Sequence, residues 1–146
     1  MVAVIIFFWL VIHPSCTSDD CMTGEMPVLT LEELGCPNTL YQMQVFTDSE
    51  FVIISSQEDF NETISISCEP DIDWNEFDMI AGMKGLTQGV SAVDHSLVKN
   101  CQSNQLTLYI TFRLNETLTA PIVSFHALIP KLSDEEHIVV KITTQS

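Results

Sequence analysis

The sequence predicts an all-β protein, a two-layer antiparallel β-sandwich with one short inserted helix. Three observations carry that expectation. Gln105 to Leu114 alternates without a break: Leu106, Leu108, Ile110, Phe112 and Leu114 fall on one face, and Thr107, Tyr109, Thr111 and Arg113 on the other. That is the period of a half-buried strand. Several more short apolar runs are separated by turn-like breaks, and a single segment has helical spacing. Runs of short strands with few helical patterns pack as two layers.

Taken in order, residues 1–18 read as a secretory signal peptide. Val2 to Ile12 is an unbroken apolar run, of the length such leaders use and too short to span a bilayer as a helix. Pro14 and Ser15 end it, and Cys16-Thr17-Ser18 puts small residues before a cut that leaves Asp19 first. Residues 19–146 then form one domain, long enough to bury a sizeable apolar core. Val28 to Leu31 is a short strand. Leu40 to Phe46 and Glu50 to Ser55 are two more, parted by Thr47-Asp48-Ser49, and Thr63 to Cys68 is a fourth that ends on a cysteine.

Asp73 to Lys84 is the helical segment. Trp74, Phe77, Ile80 and Ala81 recur at helical spacing, Asp73 with Glu76 has the form of a capping box, and Gly82 and Gly85 follow as stops. Val90 to Val98 is a further strand. After Gln105 to Leu114 come Ile122 to Ile129, with Val123, Phe125, Ala127 and Ile129 sharing a face, and a closing strand lined by Ile138, Val140 and Ile142. These last three in series suggest an antiparallel meander.

After the leader, four cysteines remain: Cys21, Cys36, Cys68 and Cys101. An even set behind a secretory leader is expected to form disulfides. Three pairings are open; nearness in sequence favours Cys21–Cys36, and the strand ends favour Cys68–Cys101. Asn61-Glu62-Thr63 and Asn115-Glu116-Thr117 are N-glycosylation sequons, so a secreted glycoprotein is expected.

The net charge of −15 sits unevenly. Fifteen Asp or Glu and no Lys or Arg lie between Asp19 and Met83, whereas the remainder balances five acids against five bases. That field repels phosphate backbones, which argues against nucleic-acid binding, and it attracts basic proteins. Nothing after the leader has the length of a membrane-spanning helix, and no stable membrane insertion is expected.

No catalytic or cofactor motif is present, and neither an enzyme nor a bound metal is expected. Asp71-Ile72-Asp73-Trp74-Asn75 opens like a calcium loop, but Glu76 stands where glycine belongs and Gly82 where the closing acid belongs. Asp94-His95-Ser96 holds the residue types of a hydrolytic triad, yet neighbours on a strand point to opposite faces. The histidines have no zinc spacing. Trp74 follows Cys68 too closely for an antibody-type domain.

From Gly89 onward the chain resembles the secreted lipid-recognition sandwiches called ML domains, the group that includes the lysosomal cholesterol-transfer protein and the group 2 mite allergens. The residues that carry the likeness are Cys101 after a polar loop, the strand around Tyr109, Pro121 opening PIVSFHALIP, the charged turn KLSDEE and the closing HIVVKI; Cys21 and Cys36 also sit where that family places cysteines. The resemblance implies an immunoglobulin-like sandwich whose sheets open around an apolar ligand. The family's partner cysteine in the last strand is absent.

Two functions follow as expectations. One is a secreted, non-enzymatic carrier of a lipid or other hydrophobic small molecule, with Leu108, Ile110, Phe112 and Phe125 lining its cavity. The other is an acidic module that binds a basic extracellular protein or receptor.

Overall fold

The computed structural model describes residues 23–146. The expected leader, Cys16 and Cys21 lie outside the described residues. In chain order the elements are β1 (Gly24–Met26), β2 (Gln44–Val45), β3 (Phe51–Ile54), α1 (Gln57–Thr63), β4 (Ile64–Ser65), β5 (Phe77–Gly85), β6 (Val90–Asn100), β7 (Gln105–Leu114), β8 (Ile122–Pro130) and β9 (His137–Gln145). The molecule is the expected all-β sandwich with one short helix. One sheet has the order β1-β6-β7-β9, the other β3-β5-β8, and β2 pairs with β4 alone.

The two larger sheets face each other across one core. Leu106, Leu108, Ile110 and Phe112 of β7 meet Val123, Phe125, Ala127 and Ile129 of β8, with Ile80 of β5 and Leu97 of β6 among them. A second core lies on the opposite face of β3-β5-β8. There Leu128, Met79, Ala81 and Ile54 pack against Leu31, Met43, Val45, Phe60, Ile64 and Ile72, so α1, the β2–β4 pair and their loops form an outer layer. The sheet β3-β5-β8 is therefore buried on both sides. In β8 every residue from Val123 to Ile129 is buried.

Double burial corrects the expected helix. Phe77 to Gly85 is a strand, central in its sheet and antiparallel to both β3 and β8. A strand covered on both faces carries apolar residues at consecutive positions, and spacings of three and four then arise without a helix. Asp73 begins only a tight turn: its carboxylate accepts from Asn75 N at 2.9 Å, and its carbonyl accepts from Glu76 N and Phe77 N at 3.0 Å. Gly82 does not stop a helix. It lies opposite Phe125, and a Cβ there would sit 2.4 Å from Phe125 Cζ and 2.4 Å from the Glu50 carbonyl oxygen. The helix is Gln57–Thr63, where Ser56 Oγ accepts from Asp59 N at 3.1 Å and the Asp59 carboxylate accepts from Ser56 Oγ at 2.7 Å. It is seated by Phe60, 4% exposed.

The meander is corrected too. β7 and β9 are parallel neighbours, and β8 belongs to the other sheet. The segments 115–121 and 131–136 thus arch from sheet to sheet and back. A meander would leave one apolar face of β8 in water; the arch buries both. Elsewhere the expected strands shrink: Thr63 to Cys68 keeps only Ile64–Ser65, Leu40 to Phe46 keeps Gln44–Val45, and Val28 to Leu31 is reduced to one bridge between Leu29 and Leu128.

The cysteine pairing differs from the favoured one. Cys36 is bonded to Cys68, with Cα atoms 5.7 Å apart. Both cysteines belong to the outer layer, which brings them together although 32 positions separate them. Cys101 is also disulfide-bonded. Cys21–Cys36 and Cys68–Cys101 are both ruled out by the Cys36–Cys68 bridge. Among the described residues no helix is long and apolar enough to cross a membrane.

Candidate functional site

The four residues expected to line a cavity are brought together between the sheets. Leu108, Ile110, Phe112 and Phe125 each have 0% exposure, so they offer no surface to a water-sized probe from outside or from an internal void. Surface clefts of about 260, 340, 400 and 430 Å³ open elsewhere, lined by other residues. On the side away from β1 and β8, which the Leu29–Leu128 bridge ties together, the sheets end in β9 and β3, and neither is paired to a further strand among the described residues. At that rim Phe51 and Ile53 share the inward face of β3 with Ile80, and Ile53 is 41% exposed.

The acids are placed by the outer layer and its connections. Glu58, Asp59 and Glu62 lie on α1, Glu69, Asp71, Asp73 and Glu76 on the loops that lead to β5, and Glu32 and Glu33 on the segment before Cys36; all are exposed. The bases are all on or beside the sheets and are already engaged. Lys84 pairs with Glu50, Lys99 with Glu136, Arg113 with Asp94 and Lys131 with Asp78, while Lys141 lies 5.5 Å over the Tyr109 ring. Of the twelve exposed acids from Glu25 to Glu76, Glu50 alone is in an ion pair among the described residues. The negative charge of this layer is left unneutralised by the fold.

The sequons sit in different settings. Asn61 is exposed on α1, its Oδ1 accepting from Gln57 Nε2 at 2.9 Å, beside the cleft lined by Glu69 and Asp71. Asn115 is half-buried against Gly89, and its Oδ1 accepts from both the backbone N–H and the hydroxyl of Thr117.

Asp94, His95 and Ser96 separate as alternation requires. Asp94 pairs with Arg113, and the Ser96 hydroxyl donates to Glu25 at 2.9 Å. His95 points the other way and is largely buried, with Nε2 lacking a partner. Burial lowers its pKa, against the opposing pull of the His126 backbone, Asp94 and Glu33.

Three buried polar groups were not singled out from sequence. Asp78, 2% exposed, accepts from Lys131 Nζ at 2.7 Å and from Leu132 N at 2.9 Å. Burial pushes its carboxyl up, but Lys131, Ser55 and the Leu132 N–H outweigh that and hold it below the ordinary carboxylate range. Ser124 Oγ accepts from Met43 N at 3.0 Å. His126, fully buried, accepts at Nε2 from Leu31 N at 2.9 Å, and its Nδ1 has no partner. Burial, with His95 nearby, pushes its pKa down to about 3. The available signal was a polar side chain inside an apolar run: Asp78 in FDMIAGM, and Ser124 and His126 in IVSFHALIP.

Among the described residues no group of three or more His, Cys, Asp or Glu is placed to hold a metal ion. No family model, curated protein or solved structure matches the chain.

Proposed function

We propose that this chain is a secreted, non-enzymatic binding module whose acidic outer layer docks a basic extracellular protein. The observation that carries the reading is the separation of charge by layer: four of the five bases are engaged in ion pairs and Lys141 lies over Tyr109, while the acids of α1 and residues 69–76 meet no base among the described residues. A face of one sign speeds encounter with a partner of the other and makes affinity fall with salt. A glycan on Asn61 would occupy part of α1 and shift the contact toward residues 69–76.

The test is capture of partners from extracellular fluid with the intact protein and with a variant in which Glu58, Glu62, Glu69, Asp71, Asp73 and Glu76 become Gln or Asn. The proposal expects basic partners held by the intact protein, lost from the variant, and weakened about tenfold or more as salt rises from ~0.05 to ~0.5 M. Partners retained by the variant, or bound with affinity indifferent to salt, overturn it.

A second reading, the carrier of a hydrophobic small molecule implied by the likeness to ML domains, is favoured by the rim between β3 and β9, where inward-facing Ile53 is exposed. Entry there would require the sheets to part, because the core between them is filled, with Phe112 and Phe125 fully buried in it. Native mass spectrometry of protein from a eukaryotic secretory host separates the readings. A ligand-bearing mass, or uptake of fatty-acid or sterol probes, supports the carrier; a ligand-free mass and no uptake exclude it.

A further inference from the structure

The segment between β1 and Cys36 is held against the outer edge of β8 by fully buried Leu31 and a few hydrogen bonds. Leu29 and Leu128 exchange backbone hydrogen bonds of 3.0 and 2.8 Å. One turn further on, the ladder is continued by a side chain: Leu31 N donates to His126 Nε2 at 2.9 Å. Both ends of the segment are fixed, since Met26 is paired to Leu97 of β6 and Cys36 is bonded to Cys68. Any movement is confined to residues 27–35.

A neutral imidazole that accepts at Nε2 carries its proton on Nδ1. An imidazolium donates at both nitrogens, so a protonated His126 would set an N–H against the Leu31 N–H. We propose that His126 is the pH-sensitive catch of this strap: protonation of its ring removes the acceptor for Leu31 and releases residues 27–35 from the edge of β8.

The groups facing the catch are few. His95 approaches His126 from β6, and Glu33 of the strap and Asp94 of β6 act on His95. The two carboxylates favour a proton on His95, but burial outweighs them and lowers its pKa, and a charged His95 would oppose a second proton on His126 while the strap is closed. Release relieves both constraints. In the closed state the His126 ring protonates only near 3, and once exposed it protonates near the ordinary 6.5. Opening is therefore favoured as pH falls below ~6.5, and the opening constant rises roughly 30-fold from about pH 7.4 to about pH 5 through this ring alone. This goes beyond partner binding by the acidic layer and stands or falls separately from it.

Residue-resolved hydrogen exchange tests the catch, with rates corrected for the intrinsic effect of pH. Protection of the Leu29 and Leu31 amides is expected to fall roughly 30-fold over that range while Leu108 and Ile110 in β7 keep theirs. His126→Gln, whose amide oxygen accepts but does not titrate there, is expected to abolish the fall. A wild-type change below about threefold, an equal loss across β7, or the same loss in His126→Gln overturns the proposal. Where His126→Gln does not fold, the wild-type ring is titrated by NMR. A His126 ring that protonates near 6.5 with the Leu31 amide still protected overturns the catch, and one that stays neutral until the amide is freed supports it.

Discussion

Replacing Lys131 by Met is expected to be costly at neutral pH and much less so in acid. Lys131 is the counter-charge of Asp78, whose side chain is 3% exposed at the end of β5 facing the arch into β9. Its ammonium also donates to the Ser55 carbonyl at 3.2 Å, tying the end of β3 to the same point. Removing one partner of a buried pair leaves an uncompensated charge, usually worth about 3–5 kcal/mol. The Lys131 side chain is 37% exposed, so the ammonium is partly screened and the lower end, about 3 kcal/mol near pH 7, is expected.

In the wild type the Asp78 carboxyl is held below its ordinary value, so its contribution is present above the unfolded pKa and lost as pH falls through the lowered one. In Lys131→Met the ammonium no longer offsets burial, the largest influence on this carboxyl, and the folded pKa is expected to rise above the unfolded one. Acid then favours the folded variant, and the penalty is expected to shrink to about 1 kcal/mol near pH 4. His95 and His126, both depressed, make acid destabilise both proteins alike and drop out of the difference. Urea unfolding of the disulfide-intact pair at several pH values measures it. A penalty that stays constant from about pH 7 to about pH 4, or that is below about 1 kcal/mol at pH 7, refutes the assignment of a charged, buried Asp78.

Two further outcomes concern packing and the bridge. Gly82→Ala is expected to lose about 2–3 kcal/mol, since its Cβ would strike the Glu50 carbonyl as well as the Phe125 ring, and Phe125→Leu in the same chain is expected to recover only the ring's share; a double-mutant cycle by urea unfolding reads both. Cys36→Ser with Cys68→Ser opens a loop of 32 positions and is expected to lose roughly 3–4 kcal/mol, measured by the same unfolding; a loss below about 1 kcal/mol would place the bridge outside the stabilising set.

In the sheet β1-β6-β7-β9 the strands β7 and β9 were the most legible, because one face of that sheet meets water, whereas β1 was not read from the sequence. β7 starts and ends where its alternation does, and β9 alternates half-buried with exposed residues. In the sheet β3-β5-β8, whose faces are both covered, β3 and β8 were read to within one residue at each end, and β5 was misread. For β5 the double cover removed the period of two and left Trp74, Phe77, Ile80 and Ala81 with a helical spacing that the fold does not use. The real helix was hidden for the opposite reason: α1 buries one residue, Phe60, so no apolar stripe announces it, and only Ser56 with Asp59 marks its start. The acidic half was plain in the sequence, but the gathering of nine of its acids on the outer layer and its connections, with no base paired to them among the described residues, needed the fold. Cys36–Cys68 followed from that layer and not from sequence distance.

Burial of β8 on both faces also explains why its polar residues take the roles they do. Val123, Phe125, Ala127 and Ile129 fill the core between the sheets, which leaves Ser124, His126 and Leu128 toward the outer layer. That layer contributes little regular structure, so its backbone N–H groups cannot all be met by strand partners and must find acceptors elsewhere. Ser124 takes Met43 and His126 takes Leu31. An aliphatic side chain at either position would pack well and leave a buried donor unpaired, at about 1–3 kcal/mol. A serine does this without titrating. A histidine does it only while its ring is neutral, so the choice of His126 makes the attachment of the outer layer depend on pH where Ser124 leaves it indifferent.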